Sequence, residues 1–259
     1  MSIARDLAAA LDPAAFATAA GIAPDPWQAD VLRSPAPRML LNCSRQSGKS
    51  TITGVLAVHT ALYQPASLVL LLSPSLRQSG ELFRKALDCY RAAGRPVPAA
   101  SESALRLELD NGSRIVSLPG TEGSIRGFSA VRLLVIDEAA RVPDELYYGV
   151  RPMLAVGAGR LIALSTPFGK RGWWHDEWAH GGPGWRRVEV PASQCPRIPA
   201  AFLEEERRAL GPWWYRQEYE CQFSESTDSV FSYDDVQRAV TGDVTPLFAP
   251  FTQEREVSR

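Results

Sequence analysis

Eight residues, Cys43-Ser-Arg-Gln-Ser-Gly-Lys-Ser50, lie between the apolar run at 38–42 and a helix-like stretch at 51–63. A strand, a short loop and a helix in this order form a phosphate-binding loop. Backbone N–H groups wrap the phosphates, and the helix N-terminus points its dipole at them. The pattern predicts that Lys49 reaches the β- and γ-phosphates and that the Ser50 hydroxyl holds Mg²⁺. One position departs from G-x-x-x-x-G-K-[ST]: Cys43 stands where the first Gly is usual, and its small side chain is compatible with the turn.

A second motif makes the first specific. Arg132-Leu-Leu-Val-Ile-Asp-Glu138 is a continuous apolar run ending in two carboxylates. Such a run reads as a parallel strand buried on both faces, and the C-terminal end of that strand is where α/β folds carry their chemistry. Asp137 is expected to hold Mg²⁺. Glu138, next to it, is expected to take a proton from an attacking water as general base. ATP hydrolysis is the chemistry these two motifs imply.

Strand-like segments at 67–73, 131–136 and 160–165 alternate with helix-like segments at 75–93 and 143–154. This predicts an α/β fold with a mostly parallel sheet flanked by helices. Residues 105–110 and 113–118 alternate apolar and polar around Asp110-Asn111-Gly112, which predicts a hairpin. Helices at 200–210 and 213–223 suggest a small C-terminal helical or lid subdomain. The expected organisation is an N-terminal helical extension at 1–24, a P-loop core at 25–170, a lid at 171–235 and a linker or tail at 236–259. Because a glutamate follows the aspartate directly, the chain resembles the P-loop class with an added strand and a catalytic glutamate.

The formal net charge of -1 excludes a global basic field, so any nucleic-acid contact must be local. Cys43, Cys89, Cys195 and Cys221 form no C-x-x-C pair and read as free thiols. No apolar run is long enough to cross a bilayer, and a soluble, cytoplasmic protein with no membrane partner is expected. The tryptophans at 173–185 read as packing rather than base stacking.

Four further pieces narrow the family: Trp27-Gln28, Thr121-Glu-Gly-Ser-Ile-Arg126-Gly127, Ser165-Thr-Pro167, and Gln217-Glu-Tyr219 with Phe223. With Arg45-Gln46 inside the loop and Val230-Phe231 near the end, the series resembles the ATPase domain of a large terminase subunit of the tailed-phage or herpesvirus type. That motor packs DNA into a capsid. The resemblance covers roughly residues 25 to 235.

It implies ATP and Mg²⁺ as cofactors, with Lys49, Ser50, Asp137 and Glu138 in catalysis. Trp27, Gln28, Ser44, Arg45, Gln46, Ser47, Gly48, Lys49, Ser50 and Thr51 would form the nucleotide site, with Gln28 reading adenine. Ser165 and Thr166 would couple hydrolysis to movement. The partners implied are double-stranded DNA, the portal protein, the small terminase subunit and further copies in a ring on the capsid, in the host cytoplasm. Alternative classes are a superfamily-2-like helicase or remodelling ATPase and a non-hydrolysing assembly module.

The acids at 225, 228, 234, 235 and 243 lie in a polar stretch, so nuclease activity is not expected. Two arginine questions stay open. Arg77, Arg84 and Arg91, spaced by seven on one helix, either grip DNA or form a solvated face, and Arg126 is a further DNA-contact candidate. An arginine finger is supplied either by Arg141, in trans to a neighbouring subunit, or by Arg45 in cis.

Overall fold

The computed structural model describes residues 3–120, 125, 127–225 and 233–239. Residues 1–224 form one unit and residues 225–259 a second, in which the helix Tyr233–Ala239 is described.

The first unit is organised by its fully buried strands. β1 (Arg38–Cys43), β2 (Leu68–Ser73), β6 (Val131–Asp137) and β7 (Arg160–Ser165) are apolar along almost their whole length. Alternate residues therefore serve two cores. Met39, Leu41, Val69, Leu71, Leu133, Val135, Ile162 and Leu164 face one layer, and Leu40, Leu70, Leu72, Leu134, Ile136, Leu161 and Ala163 face the other.

The first layer is covered by α1 (Ile3–Leu11), α2 (Pro13–Ala19), α3 (Pro26–Arg33), α4 (Lys49–Tyr63) and α5 (Leu76–Ala92). α4 and α5 approach closely at Gly54, where an added Cβ would lie 3.2 Å from the Ala86 nitrogen. The second layer is covered by α6 (Asp144–Val150) and α7 (Gly172–His180). Here the expected tryptophan packing is found: Trp173 and Trp174 are buried, and Trp173 stacks on Tyr147 with ring centroids 3.9 Å apart.

Strand order is β3-β4-β5-β2-β6-β7-β1-β8, with β3 (Ala99–Glu102), β4 (Arg106–Leu109), β5 (Arg114–Pro119) and β8 (Arg186–Val190) completing the sheet. All pairs from β5 to β8 are parallel, while β3 and β4 are antiparallel at one edge. β7 lies between β1 and β6, so one strand is inserted between the loop-bearing strand and the strand ending in Asp137. This is the added-strand class expected from the sequence.

The predicted hairpin forms as β4–β5, with Gly112 at φ 80°. The helix predicted over 143–154 is shorter. It ends at Val150 and continues as a 3-10 turn, Arg151–Leu154. Pro152 lacks an N–H and its ring clashes with the carbonyl four residues back, so the α-helix stops. β3 and β8 were not predicted, because they are short strands, β3 largely exposed and β8 partly buried, without a clean apolar alternation. The two helices expected at 200–210 and 213–223 form one stretch, α8 (Ala200–Tyr219), broken at Gly211 with φ 73° before Pro212.

Candidate active site

β1 delivers the loop to the C-terminal edge of the sheet. Cys43, the last residue of β1, is fully buried and pairs with Val190 of β8. The turn therefore begins at Ser44, after the position where glycine is usual, and Cys43 needs no special backbone. Burial raises its thiol pKa, although Lys49 opposes the shift.

The loop itself turns through left-handed backbone at Gln46 (φ 60°) and Gly48 (φ 87°). Glycine is required at the second of these. A Cβ there would lie 2.7 Å from Gln28 Nε2 and 3.3 Å from the Arg197 guanidinium. Lys49 opens α4 and is 7% exposed; its ammonium donates to the Cys43 and Ser44 carbonyls, each at 3.4 Å.

Beside the loop, β6 ends in Asp137, 8% exposed, with the Ser50 side chain close to its carboxylate. Its pKa is raised first by burial and then by the neighbouring Glu138. Lys49, Ser50 and the Glu138 N–H, 3.0 Å away, act against that rise. Glu138 adopts left-handed backbone (φ 50°, ψ 42°), a conformation that costs a non-glycine residue on the order of 1 kcal/mol. Its carboxylate accepts from Arg141 at 2.9 Å. Arg141 also lies over the Phe168 ring, 4.6 Å from its centroid.

These groups meet in one cleft of about 540 Å³, lined by residues 45–51 together with Gln78, Lys85, Glu138 and Arg141. Arg45, Lys49, Lys85 and Arg141 bring positive charge against the single carboxylate of Glu138, an arrangement that suits a polyanion. Ser165, at the end of β7, accepts the Ala140 N–H at 3.2 Å, so the turn after Glu138 is tied to the inserted strand. Thr166 beside it is buried.

Apart from Arg45, which lines the cleft, the remaining candidates lie elsewhere. Gln28 is buried outside the cleft wall: its Oε1 accepts the Asp25 N–H at 2.9 Å, and its Nε2 donates to the Ser47 carbonyl at 3.1 Å. Trp27 packs half-buried against the first core. Arg45 is ion-paired with the buried Glu218, and its backbone N–H donates to the Glu218 carbonyl at 3.2 Å. Arg77, Arg84 and Arg91 are exposed on α5; Arg84 pairs with Glu81 and Arg91 with Glu102. Arg126 and Val230-Phe231 lie outside the described residues.

Sequence reasoning missed Lys85 and Gln78, and also Asp25 and Arg197, which brace the loop from outside. Glu218 was quoted only as part of a motif. The spacing Asp25-x-x-Gln28 did carry a signal, that of a helix capping box, and the box is present.

An inserted strand between β1 and β6, with this loop at its edge, defines a P-loop NTPase fold. Residues 40–238 match the family model described as terminase large subunit, T4-like-virus type, N-terminal. The chain belongs to that family. It is 27% identical to the large terminase subunit of Thermus virus P23-45 over 82% of this chain and 51% of that protein. It is 26% identical to the large terminase subunit of Escherichia phage T5 over 78% of this chain and 48% of that protein.

The chain thus spans about half the length of the curated relatives it matches. Among solved structures, the Thermus phage P74-26 large terminase ATPase domain superposes with TM-score 0.71 at 22% identity, covering 81% of this chain and 97% of that one. The HK97 bacteriophage large terminase gives 0.63 at 16% identity, covering 77% and 50%. Both share the fold. Among the described residues, no helix is long and apolar enough to cross a membrane, and no group of three or more His, Cys, Asp or Glu could hold a metal ion.

Proposed function

We propose that the cleft binds ATP with Mg²⁺ and hydrolyses it, and that the chain is the motor segment of a DNA-packaging machine. The observation that carries this reading is the convergence of Lys49, Ser50 with Asp137, and Glu138 on one cationic cleft. Family membership and a large terminase of bacteriophage D6E solved with ADP and with ATP-γ-S support it.

Residues 44–51 would cradle the phosphates with their N–H groups, and Lys49 would move from its own carbonyls to the β- and γ-oxygens. Ser50 and Asp137 fit Mg²⁺, since a hydroxyl and a carboxylate are hard oxygen donors and the two side chains lie close together at the loop. The ion would neutralise phosphate charge. Glu138 would accept a proton from the attacking water. At rest its carboxylate is engaged by Arg141. Transfer of that guanidinium to a neighbouring subunit's γ-phosphate would free the base as it supplies the finger; Arg45 in cis is the competing source.

Gln28 keeps a second Nε2 hydrogen and a second Oε1 lone pair through which adenine readout would have to act. Ser165, bonded to the turn after Glu138, would carry hydrolysis to the rest of the sheet, with Thr166. Double-stranded DNA, the portal protein, the small terminase subunit and a homo-oligomeric ring in the host cytoplasm are the partners and setting this reading entails. Arg77, Arg84, Arg91 and Arg126 are its DNA-contact candidates. A steady-state ATPase assay with and without double-stranded DNA tests it: Mg²⁺-dependent turnover is expected, and a folded chain that releases no phosphate under either condition contradicts it.

A further inference from the structure

The residues that line the cleft do not by themselves explain why the loop is shaped to receive phosphate. The outer side of the loop is held by side chains from two distant segments. The Ser47 carbonyl accepts from Gln28 Nε2 at 3.1 Å and from the Arg197 guanidinium at 2.9 Å. A second nitrogen of Arg197 donates to Asp25 Oδ1 at 2.8 Å, and the Asp25 side chain is only 12% exposed. Arg197 lies within a turn in which the Ile198 N–H donates to the Cys195 carbonyl at 3.0 Å. Cys195 is buried with its sulfur 3.9 Å from the Ser44 hydroxyl. One short segment therefore touches the loop at both Ser44 and Ser47.

A peptide unit is planar, and in the trans form its C=O and N–H point in opposite directions. Fixing the Ser47 carbonyl toward Gln28 and Arg197 therefore aims the N–H of the same unit, that of Gly48, away from them. Gly48 caps α4, and the N–H groups at a helix start have no intrahelical acceptor. A charged donor on the carbonyl also polarises the unit and strengthens the N–H as a donor.

We propose that Arg197, oriented by Asp25, is a positioning residue for phosphate binding, which it serves by fixing the Ser47–Gly48 peptide. The inference rests on the nucleotide reading of the cleft and deepens it. Arg197 touches no phosphate itself. An N–H aimed at a phosphate serves ground state and transition state alike, so its loss appears in affinity and KM rather than in kcat.

The test is titration of the purified chain with ADP and Mg²⁺, paired with ATP turnover and with thermal melting in the absence of nucleotide. Arg197→Ala is expected to weaken ADP on the order of tenfold and to raise KM for ATP by a similar factor. Melting should stay native, and Arg197→Lys, which restores one charged donor, should recover part of the loss. Should Arg197→Ala melt early, Arg197→Met, which keeps the stem, decides on the same readouts. Native ADP affinity in a folded, uncharged variant overturns the inference while leaving the cleft's assignment intact. A native chain that takes up no ADP overturns the nucleotide reading and this inference with it.

Discussion

The two halves of the cleft are built differently. The phosphate half is held at the main-chain groups of its loop, by backbone and side-chain partners together. Lys49 is seated on two carbonyls of its own loop, the Ser44 N–H donates to the Val190 carbonyl at 2.9 Å, and the Ser47 carbonyl takes two side-chain donors. The acid half is held by side chains. Glu138 stands on left-handed backbone, and its carboxylate rests on Arg141, with both side chains about a quarter exposed at 27% and 28%. Several bonds spread over the loop's main chain open together only at high cost, whereas one partly exposed ion pair exchanges readily. Under the proposed function, the contrast would build binding into the fold and keep hydrolysis one side-chain movement away.

The largest effect is expected where subunits meet. A finger supplied in trans is worth roughly 10³–10⁵ in rate in phosphoryl-transfer enzymes. The isolated chain should therefore turn over slowly, with specific activity rising as protein concentration rises. Arg141→Ala should abolish that rise while leaving nucleotide affinity intact. Mixing Arg141→Ala with Glu138→Gln protein should restore activity, since each supplies what the other lacks. No rescue, with turnover strictly first order in enzyme, moves the finger to Arg45 and makes both halves of the cleft the property of one chain.

Next comes the phosphate half. Lys49→Ala removes its buried cation and should weaken ATP on the order of 10²-fold, measured by equilibrium titration, with little change in melting. Equal affinity in the variant would remove the distinction drawn between the halves.

The smallest effect lies at the far end of the same helix. His59 on α4 is buried, its Nε2 is 3.1 Å from the Ala9 carbonyl, and burial holds its pKa below the ordinary 6.5. A base with a depressed folded value is stabilising above its unfolded value and loses that contribution as pH falls through 6.5 toward the folded one. Melting temperature should therefore drop on that acid side, and His59→Gln should flatten the slope without changing ATP affinity. His175, also held low by burial, acts in the same window and leaves a residual slope. A slope unchanged in His59→Gln would mean that the far end of α4 does not report on protonation.

How much of this was legible in the sequence follows from range. β1, β6 and β7 were readable because strands buried on both faces leave uninterrupted apolar runs. The Lys49 loop was readable because its glycine and its cation are adjacent. The kink at Gly211-Pro212 was readable from the two residues that cause it. The brace was not, since Arg197 reaches Asp25 across 172 positions of chain and the local capping pattern at Asp25 says nothing of that partner. Gln28 shows the intermediate case: its local capping role was encoded four residues wide, while its bond to Ser47 depends on the fold. The edge strands β3 and β8 were silent because short strands at a sheet edge, exposed or only partly buried, carry little apolar alternation.

The division of labour in the cleft is tested most directly by one variant under two readouts. Glu138→Gln keeps the loop, the lysine and the shape of the acid side chain, and removes only its basicity. Equilibrium titration with ATP and Mg²⁺ should give native affinity within about twofold, while single-turnover hydrolysis falls by roughly 10²-fold or more, as expected for loss of a general base. Hydrolysis at the native rate, or affinity lost in step with rate, would contradict the account.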